Sequence, residues 1–369
     1  MGFDTIFEPK YWALVPFHFW SLVFFTFGCI VGSFLNVCIY RMPLDLSVVS
    51  PPSHCPNCKY SIPFYLNVPL LTWLSLHGRC KNCGAPISPR YFIVELFTGL
   101  TFLACWLAFG HVSPWQALVY SLFLAGLITA TFIDFEHFII PDEITLGGAV
   151  VGFAISCVLP QLHDVRTFGQ GMVHSAIGIG VGAGVVYAVL RLGKLMFGRQ
   201  KIILPSETKI VFTETSLCLP DQEISYEEFF YRPSDAIVFR ARILELVDRS
   251  YQNVNVRLSP AALKIGDEEF NPEDVRHLEA TCSELTVPRE AMGLGDVKFM
   301  AAIGAFIGWQ GALFSLMASS LIGSVVGIVL ILARKREWSS RMPYGPYIAA
   351  AAAIWVFGGK NLFHALFAM

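Results

Sequence analysis

Charge is what this 369-residue chain has least of: Lys, Arg, Asp and Glu make up 15% of it, against 54% apolar residues. Mean hydropathy is +0.56. Soluble domains carry about 25% charged residues, so the composition excludes an ordinary soluble protein and puts most of the chain in lipid. With 26 basic and 28 acidic side chains the net charge is −2, too small to specify a partner; where the charges fall says more. A basic segment ahead of the first apolar run is also missing, and Asp4 and Glu8 flank its start. That run therefore reads as a retained span and not as a cleaved signal peptide. Nor is there a glycine-rich loop in a strand–helix context to mark a nucleotide-like site. GIGVGAGVV (178–186) reads instead as close helix packing in lipid.

What the chain has is apolar runs of about 17 to 25 residues, the length a bilayer needs. They fall near 17–40, 91–110, 115–133, 143–160, 171–193, 295–309, 311–333 and 346–367. Basic residues orient them. Arg41, Lys59, Arg79, Lys81 and Arg90 share one loop, Arg191, Lys194, Arg199 and Lys201 follow the fifth run, and Arg334, Lys335, Arg336 and Arg341 follow the seventh. With all three clusters on one side, that side is cytoplasmic and both termini are extracytoplasmic. The expected fold is an α-helical polytopic membrane protein with about eight transmembrane helices.

Two soluble segments interrupt it, dividing the chain at 1–40, 41–90, 91–198, 199–290 and 291–369. The segment 41–90 holds Cys55-Pro56-Asn57-Cys58 and Cys80-Lys81-Asn82-Cys83. Paired CxxC knuckles at this separation can converge Cys55, Cys58, Cys80 and Cys83 on one structural zinc, and a reducing cytoplasm disfavours the alternative of two disulfides. Of the remaining cysteines, Cys29, Cys38, Cys105 and Cys157 lie in apolar runs and read as small buried hydrophobes. In 199–290, KIVFTETSLCL, AIVFRARILELV and VNVRLSP read as strands and ALKIGDEEF as a hairpin centred on Gly266-Asp267. NPEDVRHLEATCSEL reads as a short helix entered through Asn271-Pro272. This segment is expected to be a small β-rich cytoplasmic insertion whose acid excess argues against nucleic acid.

Two carboxylates stand out against the apolar background. Asp134 ends the run LFLAGLITATFID, and Asp296 sits in MGLGDVK at the head of another. Ionisable groups at such positions are costly without a function or a partner. The orientation above puts both at the cytoplasmic ends of their helices. Two like charges held close cannot both ionise, so one can act as base on a water while the other, protonated, hydrogen-bonds a scissile carbonyl. Asp142, after Pro141, reads as a helix N-cap. Glu136 and His137 read as interfacial groups, and Lys298 as a cation reaching out to the interface.

These residues sit inside six segments: GSFLNVCIYRMP (32–43), the tetracysteine loop, SPRYFIVELFTG (88–99), IDFEHFIIPDEITL (133–146), MGLGDVKFMAAIGAFIGW (292–309) and MPYGPYIAA (342–350). In content and order they resemble the type IV prepilin peptidases, bacterial inner-membrane enzymes of the GxGD aspartic protease group. The resemblance covers nearly all the chain outside 199–290, a segment absent from the basic family plan. It implies Asp134 and Asp296 as the catalytic pair. It also implies cleavage of type IV prepilin or type II secretion pseudopilin leaders, and methylation of the new N-terminus from S-adenosylmethionine. Glu95 is the candidate contact for that methyl donor, with pairing to a nearby Arg as the competing role. Partners implied are prepilin substrates, lipid and pilus or secretion assembly proteins. A presenilin-like protease would carry Tyr where Ile133 stands and a late Pro-Ala-Leu where MPYGP stands. A transporter would need polar residues deep in several spans, and few are present.

Overall fold

The structure is a computed structural model that describes residues 16–197, 199–220, 223–226, 230, 235–246, 248–275, 277–288, 293–333 and 342–367. Asp4, Glu8, Met292 and the basic run Arg334, Lys335, Arg336 and Arg341 lie outside them. The chain divides into two compact units: 1–187 with 294–369, and 188–293.

The first unit is helical. Its elements are α1 (Phe17–Arg41), the short α2 (Leu71–Ser75), α3 (Pro89–Phe109), α4 (Pro114–His137), α5 (Asp142–Val158), α6 (Phe168–Phe197, whose end passes into the second unit), α7 (Leu294–Leu332), α8 (Gly345–Ile354) and α9 (Lys360–Phe367). Proline begins α3 and α4, where its missing N–H costs nothing. Ser88 and Ser113 cap those two helices by accepting the amides of Arg90 and Gln116. Asp142 does not act as the cap expected of it: the cap position of α5 is Pro141, Asp142 is the first helical residue, and no side chain caps the helix. Among the described residues, five stretches are long and apolar enough to cross a membrane: Phe17–Leu44, Pro89–Phe109, Pro114–His137, Phe168–Lys194 and Leu294–Leu332. The fourth run is the 17-residue α5, and the eighth is broken into α8, a π turn (Trp355–Gly359) and α9.

The sixth and seventh runs form the single long helix α7, broken at Gly308 (φ 72°, ψ 179°). Packing shows what the break does. Gly148 and Gly152 of α5 face Ala302 and Phe306, so the first half of α7 ascends with α5. Gly327, Gly323 and Phe314 meet Met342, Tyr347 and Trp355 in turn, so the second half runs against α8. Helices α5 and α8 both start beside Ile140, and beyond their far ends Asp164 pairs with Lys360. They are therefore parallel, and the chain doubles back at Gly308, in a backbone conformation that glycine adopts without a Cβ penalty. Glycine also sets the closest approaches. A Cβ on Gly178 of α6 would lie 2.1 Å from the Gly304 carbonyl, and one on Gly182 would lie 2.3 Å from the Met300 carbonyl. The GIGVGAGVV run thus packs backbone against backbone, as small residues permit in lipid.

The second unit is an eight-stranded antiparallel sheet in the order β3-β2-β1-β8-β4-β5-β6-β7. Its strands are β1 (Arg199–Phe212), β2 (Ser216–Cys218), β3 (Glu223–Ser225), β4 (Ile237–Leu246), β5 (Ser250–Leu258), β6 (Leu263–Ile265), β7 (Glu268–Phe270) and β8 (Leu278–Pro288). Inward residues alternate along β4 (Ile237, Phe239, Ala241) and β8 (Leu278, Ala280, Cys282) to build one core. The ALKIGDEEF hairpin forms as β6–β7, with Gly266 at φ +60° in the turn. The helix expected from NPEDVRHLEATCSEL does not. Among its described residues Pro272–Asp274 makes a single 3₁₀ turn, and Leu278 onward is β8, paired on both sides with β1 and β4. The local helix signal loses to the period-two burial of a central strand.

Candidate active site and metal centre

Asp134 lies in the last turn of α4, 6% exposed, and its Oδ2 accepts the backbone N–H of Gly345 at 2.8 Å. Gly345 opens α8 and comes from the MPYGP segment. A Cβ there would lie 2.7 Å from Asp134 Oδ2 and 3.1 Å from Ile140 Cδ1, so the position accepts only glycine without displacement. The turn before it is pinned by Tyr344, whose hydroxyl lies 2.8 Å from Ser319 Oγ and 3.0 Å from Ser320 Oγ on the second half of α7.

Ile140 ties the second acid to this group. It is buried at the end of the α4–α5 turn, which Phe138 enters in the left-handed region (φ 56°). A Cβ on Gly295 would lie 3.8 Å from Ile140 Cβ. One apolar side chain is therefore the common neighbour of Gly345, whose amide holds Asp134, and of Gly295, which precedes Asp296. Asp296 is half-buried in the first turn of α7. The parallel register of α5 with that half of α7 starts both helices at one level. Lys298 and Asp142 stand beside this site: Lys298 Nζ donates to Asp142 Oδ1 at 2.7 Å and Oδ2 at 2.9 Å. Lys298 is thus paired instead of reaching out alone. Glu136 pairs with Arg90 across from α3.

The four loop cysteines converge. Their sulfurs all lie within 4.8 Å of one another, with Cys55–Cys83 and Cys58–Cys80 each at 3.9 Å. Four thiolates at about 2.3 Å from a tetrahedral zinc sit roughly 3.8 Å apart, so the donor set fits that ion, whereas a disulfide needs about 2.05 Å. The two knuckles brace each other: Asn57 Nδ2 donates to Cys83 Sγ at 3.7 Å and Asn82 Nδ2 to Cys58 Sγ at 3.6 Å. The Asn82 side chain, followed by the Tyr60 amide, draws the Cys58 thiol down to about 6, and the Cys83 and Asn82 amides lower Cys80. Both shifts favour the thiolates that bind metal.

Glu95 lies on α3, 8% exposed. Its Oε2 accepts the Leu70 amide at 2.7 Å, holding the loop at a residue with φ 62°. The Arg pairing considered for it goes instead to Glu136. Beside it Asn36 is 1% exposed, donates to the Tyr91 carbonyl at 3.1 Å, and leaves its own Oδ1 buried without a partner. Sequence reasoning assigned no role to Gly345, Tyr344, Ile140 or Asn36. The Tyr-Gly-Pro of MPYGP was the available signal for the first two; Ile140 and Asn36 gave none, since their roles depend on what packs against them.

Comparison with known proteins follows the same division. A family profile described as the bacterial peptidase A24 N-terminal domain matches residues 26–109, and one described as the type IV leader peptidase family matches 121–202 and 280–328. The break in the second match lies within the β sheet. A "Prepilin leader peptidase/N-methyltransferase" of Myxococcus xanthus is 39% identical over 197 residues, 48% of this chain and 57% of that protein. One of the same name from Aeromonas hydrophila is 28% identical over 94% of this chain and 93% of its own length. A "Type 4 prepilin-like proteins leader peptide-processing enzyme" of Escherichia coli is 43% identical over 32% of this chain and 51% of its own length. No solved structure matches.

Proposed function

The chain belongs to the type IV leader peptidase family, and from that premise we propose that it is a membrane-embedded aspartic endopeptidase with Asp134 and Asp296 as its catalytic pair. It removes the leader of type IV prepilins or type II secretion pseudopilins at the cytoplasmic face of the inner membrane. The observation that carries this reading is the Ile140 junction. It gathers the Asp134 carboxylate, the Gly345 amide and the glycine preceding Asp296 around one buried side chain. With Oδ2 of Asp134 fixed by Gly345, its other oxygen can face a water. One aspartate takes a proton from that water as it attacks the scissile carbonyl, and the other, protonated, donates to the carbonyl oxygen. The roles then reverse as the amine leaves. Eight spans, with the three basic clusters cytoplasmic, is the topology that goes with this; the reversal at Gly308 supports counting α7 twice.

The tetracysteine cluster holds one structural zinc, with no open position for chemistry. Methylation of the new N-terminus from S-adenosylmethionine is the second activity, associated with the N-terminal region. The buried, unpartnered Asn36 Oδ1 beside Glu95 supports placing the methyl donor there; when bound, it supplies the methyl group to the peptide amine. The 199–290 segment serves substrate positioning or partner binding and takes no chemical step. A transporter reading has no comparable support.

The test is incubation of the purified full-length protein with a prepilin and labelled S-adenosylmethionine, scoring cleavage and methyl transfer separately. Asp134→Asn and Asp296→Asn are each expected to lose at least about a hundredfold in cleavage, the usual worth of a proton-transfer group. Near-normal cleavage by either variant would end the assignment.

A further inference from the structure

Asp142 and Lys298 form a two-pronged ion pair for which the catalytic reading has no use. Lys298 Nζ lies within hydrogen-bond distance of both Asp142 carboxylate oxygens, and the two side chains are 57% and 39% exposed. An exposed pair of this kind adds little to global stability. Its position is what matters. Asp142 is the first residue of α5, and Lys298 lies in the opening turns of α7. Beyond them the two helices are zipped in register by Gly148 against Ala302, Gly152 against Phe306, and Ser156 Oγ donating to the Ala305 carbonyl at 2.9 Å. The ion pair closes the near end of that zipper, where, among the described residues, a Cβ on Gly295 would meet Ile140 at 3.8 Å and no backbone of α5. Helix ends fray without such ties.

Each partner is coupled by short chain to one catalytic acid. Asp296 precedes Lys298 by two residues on the same helix, and a helix turns roughly 200° over two residues. Anchoring Lys298 against α5 therefore fixes the opposite side of that turn, the side that carries Asp296. Asp142 follows Asp134 across the turn that ends at Pro141, in which Ile140 is wedged between the two motifs.

We propose that the Asp142–Lys298 ion pair is a positioning device that sets the azimuth of the first turn of α7, and with it the approach of Asp296 to Asp134. The proposal rests on the proteolytic reading above. Neither residue touches the reacting atoms; loss of either lets the turn rotate and lowers the rate of the chemical step while leaving substrate affinity intact. A displacement of about 1 Å at such a site costs up to about a hundredfold in rate.

The experiment uses the full-length protein in lipid nanodiscs, with a prepilin as substrate. It compares Asp142→Asn, Lys298→Met, Lys298→Arg and the exchanged pair Asp142→Lys/Lys298→Asp. Asp142→Asn and Lys298→Met should each lose about tenfold or more in kcat, with KM within about twofold and melting temperature unchanged. Lys298→Arg and the exchanged pair should recover most of the loss. Amide exchange over residues 294–300 gives a second readout that does not use cleavage: it should quicken in the two single losses and slow again in the exchanged pair. The idea is overturned by wild-type kcat in both single variants, by an effect on KM alone, by a fall in kcat that tracks melting, or by an exchanged pair that restores neither readout. A wild-type protein that fails to cleave would instead remove the proteolytic reading, and the exchange data would still decide the clamp.

Discussion

The two units of this chain bury opposite things. In the sheet, Ile210, Leu217, Ile237 and Leu244 are fully enclosed, while Lys209–Glu279 and Lys264–Glu269 pair on the outside. In the helical unit, large apolar side chains point outward, Val150 and Leu321 at about 70% exposure, while Thr98, Ser121, Ser156 and Ser175 are completely buried. Three of these serines bond to helix backbones: Ser121 donates to the Ala117 carbonyl at 2.8 Å, and Ser156 and Ser175 both donate to the Ala305 carbonyl at 2.9 Å. The sheet is organised by the hydrophobic effect in water. In the helical unit apolar burial distinguishes little, because lipid is as apolar as leucine, and close glycine contacts and internal hydrogen bonds set the packing. The proposed chemistry depends on the second arrangement, since a buried carboxylate needs fixed dipoles such as the Gly345 amide around it.

The strongest way to break this comparison is to remove the sheet. Replacing 199–290 with a short Gly/Ser linker should leave prepilin cleavage measurable, with altered preference at most, beside an inactive Asp296→Asn control. Equal inactivity of the deletion, with the helical unit shown to be folded, would place the sheet in the active site. Next comes the core contrast. Leu244→Ala, inside the sheet, should cost about 2–5 kcal/mol, seen as faster amide exchange across 188–293. Leu321→Ala, on the outer face of α7, should stay within about 0.5 kcal/mol in a detergent melt. Similar costs at both sites would erase the distinction between the two interiors.

The loop is a third case, too small for either kind of core, and the proposed metal would take the place of one. Metal analysis should find about one zinc per chain. Cys58→Ser or Cys80→Ser should lower that content and make residues 41–90 sensitive to protease; two native disulfides on thiol mapping would overturn the site. The smallest effect concerns His163, after α5. Burial, and then the nearby His174 charge, hold its pKa down to about 4, and its Nε2 lies 2.9 Å from Ser156 Oγ. Because the folded value lies below the unfolded one near 6.5, the neutral ring's contribution is complete above 6.5 and is lost as pH falls toward 4. Melting temperature should drop across that window, and the drop should be shallower in His163→Gln. An unchanged slope in the variant would show that other groups carry the acid sensitivity.

Composition, run length and motif order were enough to find the main elements: apolar runs for the helices, paired CxxC for the four converging cysteines, and alternation for most strands. These are local properties, set by side-chain polarity against a fixed helical or strand period. What the sequence misread depended on neighbours. β8 looks helical from its own residues and is a strand because β1 and β4 flank it. Asp142 looks like a cap, and its partner Lys298 lies 156 residues away. The arginine pairing weighed as the competing role of Glu95 goes to Glu136, and Glu95 holds the Leu70 amide. The amide that fixes Asp134 comes from 211 residues along the chain. Hydrogen-bond partners and helix azimuths are decided by which backbones come close, and only the folded packing sets that.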